Sequence, residues 1–264
     1  IRTNNDRLNA IHEVMHQITL SALHRAGFFE KAAFYGGTCL RIFHGMHRFS
    51  EDMDFSLLQP DPVFTLDPYF DAIETEFKAL GRNVEIYKID KNWESNIESA
   101  FLKDNTEVYN VVFQSERTVK IKIEVDKDPP LNFNTEFKLL LLPYSFYTRC
   151  FTLPGLYAGK MHAFLFRQWK NRVKGRDWYD FEWYVRKGVA VDFDHLKERS
   201  LQNGYKGSEV FTKELCIQLL KEKISQTNIE MVKTDVRPFI KNTKELEIWS
   251  REYFLQLADM VRFH

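Results

Sequence analysis

The sequence predicts an α+β protein, a mixed-sheet N-terminal domain followed by an all-helical C-terminal domain. Three observations predict it. Between Ala32 and Leu142 short, apolar, β-branched segments alternate with glycine and proline breaks, as strands do. From Pro154 onward the apolar residues recur at helical spacing. The 264 residues are 44% apolar and 28% charged, which excludes disorder and provides for one large core or two modest ones. We place a boundary near Cys150, dividing the chain into domains 1–150 and 151–264.

Taken in order, Leu8, Ile11, Met15, Ile18 and Ala22 form the stripe of an amphipathic opening helix that Gly27 stops. Ala32 to Tyr35 is a short strand, Gly36-Gly37 breaks it, and Thr38 is placed to cap a helix that ends at Gly45. From Asp52 to Leu57 the residues alternate, Met53, Phe55 and Leu57 on one face and Asp52, Asp54 and Ser56 on the other. Two carboxylates therefore share a face. After a proline-containing loop and a helix ending near Gly81, four strands are expected: Val84 to Ile89, Val108 to Phe113, Val119 to Val125 and Phe137 to Leu142. The helices expected beyond Pro154 are Leu156 to Arg167, Trp178 to Lys187, Phe193 to Leu201, Glu209 to Ile224 and Glu245 to Phe263.

The longest apolar run, Leu139 to Leu142, ends at Pro143, well short of the roughly 18 residues of a membrane span. Ile1 to Asn9 carries no secretory pattern, and the three cysteines, Cys39, Cys150 and Cys216, have neither disulfide nor zinc-knuckle spacing. A cytoplasmic protein with no membrane partner is expected. The 37 basic residues balance 37 acidic ones, yet unevenly. From Glu51 to Glu85 acidic residues outnumber basic ones nine to two, and from Lys160 to Lys187 the basic residues lead eight to three. One region is suited to cations and the other to phosphates.

Two metal readings compete. His12-Glu13-Val14-Met15-His16 satisfies the H-E-x-x-H zinc motif, with His24 available as a third ligand, but the same residues fit a plain amphipathic helix. Asp52-Met53-Asp54 follows a Gly-Gly turn and a short helix, an arrangement that offers backbone N–H groups to phosphates and carboxylates to two Mg²⁺ ions. A third carboxylate is expected from the strand Val119 to Val125, where Glu124 is preferred over Asp126 because it lies inside the strand.

These residues carry a resemblance. Phe34-Tyr35-Gly36-Gly37-Thr38-Cys39-Leu40-Arg41 through Gly45, followed by Arg48-Phe49-Ser50-Glu51-Asp52-Met53-Asp54-Phe55-Ser56, resembles the signature of the AbiEii/AbiGii toxin family of nucleotidyltransferases, within the DNA polymerase β-like superfamily. Lys160 to Ala163, Arg167 and Arg176-Asp177-Trp178-Tyr179-Asp180 are similar to a second family block, and Val236 to Ile240 with Trp249 and Phe254 to a third.

The resemblance implies a nucleotidyltransferase-like fold with the active site between two domains, and NTP as substrate. Gly36, Gly37 and Thr38 would cradle the triphosphate, threonine standing where better-known relatives have serine. Asp52 and Asp54 would bind Mg²⁺, and Lys160 would contact phosphate, with Arg176, Asp177 and Asp180 completing that wall and Asp177 counted with Lys160 as catalytic. The acceptor it suggests is a tRNA 3′ end, and the role that of a toxin with a separately encoded antitoxin, in phage defence.

For other residues two readings stay open. Arg48 and Ser50 either touch phosphate or shape the turn before the Asp52 strand, and Arg176 with Asp180 is also an i, i+4 pair suited to tying one helical turn. Cys39 is read as packing. Trp169, Trp178, Tyr179 and Trp183 are either core residues or base-stacking ones. Transfer to a protein or a small molecule, and a silent nucleotide-binding module, are the rival functions.

Overall fold

The computed structural model describes residues 4–88, 106–113, 119–167, 173–203, 205–207 and 209–264. Two compact units divide the chain. The first holds Ile1–Gly45, Phe49–Pro129 and Thr135–Phe151, and the second Met46–Arg48, Pro130–Asn134 and Thr152–His264.

In the first unit α1 (Asn4–Arg25) leads to β1 (Ala32–Tyr35), α2 (Gly36–His44) and β2 (Met53–Leu57). Then come α3 (Phe70–Ala79), β3 (Val84–Lys88), β4 (Thr106–Phe113), β5 (Val119–Asp126), β6 (Thr135–Leu140) and β7 (Phe146–Phe151). The strands form one seven-stranded sheet in the order β3-β4-β5-β2-β1-β7-β6. It is mixed, because β2 runs parallel to β5 and β1 to β7, while the other neighbours are antiparallel. The predicted α1 stripe describes only part of that helix: every residue from Ile18 to Leu23 is buried, since this half packs against both α3 and the sheet. Phe28, Phe34 and Phe55 meet at centroid distances of 5.0–5.1 Å in the core beneath it.

The helix after β1 starts at Gly36 and not after Thr38, because Gly36 adopts φ 79° and turns the chain directly into the helix. The strand predicted over Phe137 to Leu142 begins earlier, at Thr135, and its partner β7 went unanticipated. β7 carries the polar Thr148 on its buried face with the aromatic Tyr147 exposed, so its apolar alternation is interrupted. Cys150 lies inside this strand, and Ile89, the last residue of the third predicted strand, lies outside the described residues.

The second unit contains α4 (Leu153–Phe166), α5 (Gly175–Arg186), α6 (Phe193–Gln202), α7 (Lys213–Gln226), α8 (Ile229–Val236) and α9 (Arg251–Asp259). A two-stranded parallel ribbon of β8 (Ala190–Val191) and β9 (Arg262–Phe263) accompanies them. The long final helix predicted over Glu245 to Phe263 does not form as one piece. Ser250 caps α9 by accepting the Tyr253 N–H at 3.0 Å, and Glu182 holds the segment before it by accepting from Trp249 Nε1 at 2.9 Å. Likewise α7 starts at Lys213 rather than Glu209, because Thr212 accepts the Leu215 N–H. The short α8 was not foreseen; Asn228 caps it through the N–H groups of Glu230 and Met231. Among the described residues no helix is long and apolar enough to cross a membrane.

Candidate active site

Asp54 sits on β2, Asp52 immediately precedes it, and the chain leading into that strand is pinned from two sides. His16, buried on α1, hydrogen-bonds the Glu51 carbonyl through Nε2 at 2.9 Å. Burial lowers its pKa to about 4, so the ring is neutral at pH 7 and donates through Nε2. Thr38, on α2, donates its hydroxyl to the next carbonyl, that of Asp52. Two successive backbone carbonyls are thereby held just before Asp54.

Gly36 decides the fit between α2 and β2. A Cβ added there would stand 2.1 Å from Asp54 Oδ2, so only glycine lets the carboxylate lie against the helix start. Gly36, Gly37 and Thr38 are the first three residues of α2, whose N–H groups have no carbonyl partner within the helix and mark its positive end. Asp54 stands opposite Tyr35 on β1 and beside Glu124 on β5 in the parallel register. Asp126 also lies inside β5, contrary to expectation, but it is the partner of Ser56, is buried, and accepts the Asp128 N–H at 3.2 Å. Ser50 is buried just upstream.

The donor chemistry suits Mg²⁺, which takes oxygen ligands: Asp54 comes from β2, Glu124 from the neighbouring β5, and Asp52 from the residue just before β2, which starts at Met53 and not at Asp52 as expected. Glu124 is also ion-paired with Lys122 at 3.0 Å. Among the described residues no three His, Cys, Asp or Glu side chains already form a closed metal cluster. The H-E-x-x-H residues do not assemble one either: His16 is bonded to the Glu51 carbonyl, Glu13 is paired with Arg41, His24 is exposed, and His12 packs edge-on against Phe49 at 5.7 Å.

In the second unit the predicted residues converge on a buried ion cluster. Lys160 Nζ, from α4, lies 2.7 Å from Asp177 Oδ1 and 2.8 Å from Asp180 Oδ2, both on α5. Arg48 grips the same Asp180 through Nε at 2.5 Å and a terminal nitrogen at 2.6 Å. Arg48, Asp177 and Asp180 are all buried. Burial alone would raise the carboxyl pKa values, but Lys160 and Arg167 outweigh it at Asp177, and Arg48 and Lys160 at Asp180, so both are held low. Asp180 thus serves Arg48 and Lys160, and Arg176, its i, i+4 neighbour, lies 4.1 Å over the Phe239 ring.

Lys174 escaped the sequence reading. It precedes Gly175, and burial next to Arg176 lowers its pKa to about 8. The signal was its place before the Gly175-Arg176-Asp177 turn. That turn is tightly held, since Asp235 accepts the Gly175 N–H at 2.7 Å and a Cβ at Gly175 would meet the Val232 carbonyl at 2.3 Å. Trp178, Tyr179 and Trp183 are buried, while Trp169 lies outside the described residues.

The nucleotidyl transferase AbiEii toxin family, of the type IV toxin–antitoxin systems, matches residues 18–264. The chain belongs to this family. As an AbiEii protein it is a nucleotidyltransferase enzyme and a toxin, with NTP as substrate and an antitoxin as the implied partner. Solved structures share the AbiEii chain's fold. JHP933 from Helicobacter pylori is 16% identical with TM-score 0.53, over 96% of this chain and 90% of that one. MenT4, a nucleotidyltransferase toxin from Mycobacterium tuberculosis, is 14% identical with TM-score 0.50, over 98% and 95%. No curated protein sequence matches.

Proposed function

We propose that this toxin transfers a nucleoside monophosphate from an NTP to a tRNA 3′-terminal hydroxyl, with Mg²⁺, and acts in phage defence. The observation that carries the reading is the seat of Asp54 over Gly36, beside Glu124 and at the positive start of α2. Asp52 and Asp54 would hold Mg²⁺, with Glu124 as third carboxylate. Bound there, Mg²⁺ would activate the attacking hydroxyl and stabilise the leaving pyrophosphate.

The chain's own groups do the rest. The first N–H groups of α2 bind triphosphate oxygens, as helix starts do for anions. Thr38 contributes through its N–H, its hydroxyl being engaged by Asp52. His16 and Thr38 keep the Asp52 segment from shifting. In the second unit Lys160, Lys174 and Arg176 would supply positive charge to phosphate, with Asp177 and Asp180 holding Lys160 in place and Asp180 holding Arg48.

The test is incubation with Mg²⁺, each labelled NTP and total tRNA, comparing wild type with Asp54→Ala. Label should enter RNA only with the wild type and only before chelation. If both folded proteins are inert towards RNA, the reading fails; label entering a protein or small molecule instead would establish a rival acceptor.

A further inference from the structure

The sheet face that carries the carboxylates continues across the strands into an exposed patch, all within the first unit. Asp54 pairs with Tyr35, and the Tyr35 ring stacks on Phe151 at 5.3 Å and 28°. Along β7 the buried Phe146, Thr148 and Cys150 alternate with Tyr147, Arg149 and Phe151, which puts the latter three on the Tyr35 and Asp54 side. Across the β6–β7 ladder Phe137 stands opposite Arg149 and Leu139 opposite Tyr147.

Phe137 is 56% exposed and Tyr147 54%. The Arg149 guanidinium lies 4.9 Å over the Phe137 ring, and among the described residues its Nε is buried without an acceptor and no carboxylate pairs with it. An aromatic surface holding a cation with no counter-charge is complementary to a strand of phosphates and flat bases. Three strand spacings separate β2 from β6, about 14 Å at the usual interstrand distance, which is a reach of a few nucleotides.

We propose that Phe137, Tyr147 and Arg149 form a platform for single-stranded acceptor RNA. Bases just upstream of the reacting 3′-hydroxyl stack on the two rings, and a phosphate meets Arg149. The placement rests on the nucleotide-transfer reading above. The Arg149 cation, with no carboxylate partner among the described residues, favours nucleic acid over a protein partner, although Leu139, Leu141 and Leu142 border the patch.

The experiment is fluorescence anisotropy with a short labelled single-stranded RNA bearing a free 3′-hydroxyl. Phe137→Ala and Tyr147→Ala should each weaken binding about tenfold, the scale of one lost stacking contact. Phe137→Tyr, which keeps the ring face, should restore it. Arg149→Gln should lower the salt slope by about one. These side chains are exposed or half-exposed, and unchanged melting temperatures will confirm intact folding.

Unchanged affinity in all of the variants refutes the platform. So does light scattering in which Phe137→Asp converts a dimer to a monomer while RNA binding persists, since the patch is then a protein interface. RNA binding through these residues without nucleotide transfer to any RNA would refute the function and spare the platform. Transfer with affinity unaffected by the variants would do the reverse.

Discussion

Replacing Gly36 with alanine should uncouple catalysis from folding. The added Cβ would stand 2.1 Å from Asp54 Oδ2 and 2.9 Å from its Cγ, where an ordinary contact begins near 3.4 Å. The carboxylate must therefore move by more than about 1 Å, and a misplacement of that size costs roughly a hundredfold in rate. The backbone adds its own strain, because φ of 79° is left-handed and alanine there costs about 1–2 kcal/mol. Gly45 supplies the control: its φ is 71°, with nothing within 4 Å of an added Cβ. Gly45→Ala should lose similar stability and keep its rate. We would measure transfer of labelled NTP together with urea unfolding of both variants. A Gly36→Ala enzyme as fast as Gly45→Ala would refute the placement of Asp54 at the reaction centre.

Three further outcomes follow from the charge arrangement. Arg48→Met leaves the buried Asp180 with Lys160 alone and should cost about 3 kcal/mol in urea unfolding, near the lower end for a broken buried pair; an unchanged midpoint would show that the cluster does not support the fold. Lys174, with its pKa near 8, should lose charge between pH 7 and 9, so NTP binding weakens over that range in wild type but not in Lys174→Arg; parallel pH profiles would remove Lys174 from the phosphate contacts. His16 titrates near 4 in the folded protein against about 6.5 unfolded, so its contribution is complete above pH 6.5 and is lost as the pH falls towards 4. Over that interval wild type should lose about 3 kcal/mol more than His16→Asn, and equal losses would mean that burial does not hold the ring neutral.

The strands β1 to β5 were legible as short apolar runs set between breaks, and β5 also shows a nearly two-residue burial period. Helix starts were less legible. Thr38 has the chemistry of a cap but spends its hydroxyl on a carbonyl 14 residues away, and Ser250 splits a helix that apolar spacing alone continues. β7 hid behind Thr148, a polar residue whose burial depends on what packs over it.

Residue order by itself determined the fold class, the family motifs and the strand that carries Asp54, since each depends on local periodicity or on contiguous residues. Only the tertiary structure decided that Asp54 rests on Gly36, that Glu124 rather than Asp126 stands beside it, and that His16 belongs to a backbone clamp. It also turned Lys160 and Arg48 from open cations into partners of Asp177 and Asp180, 17 and 132 residues away in sequence. The reason is physical: a charge is set by its neighbours in space, and burial makes those neighbours, not the residue's own type, decide what it can bind.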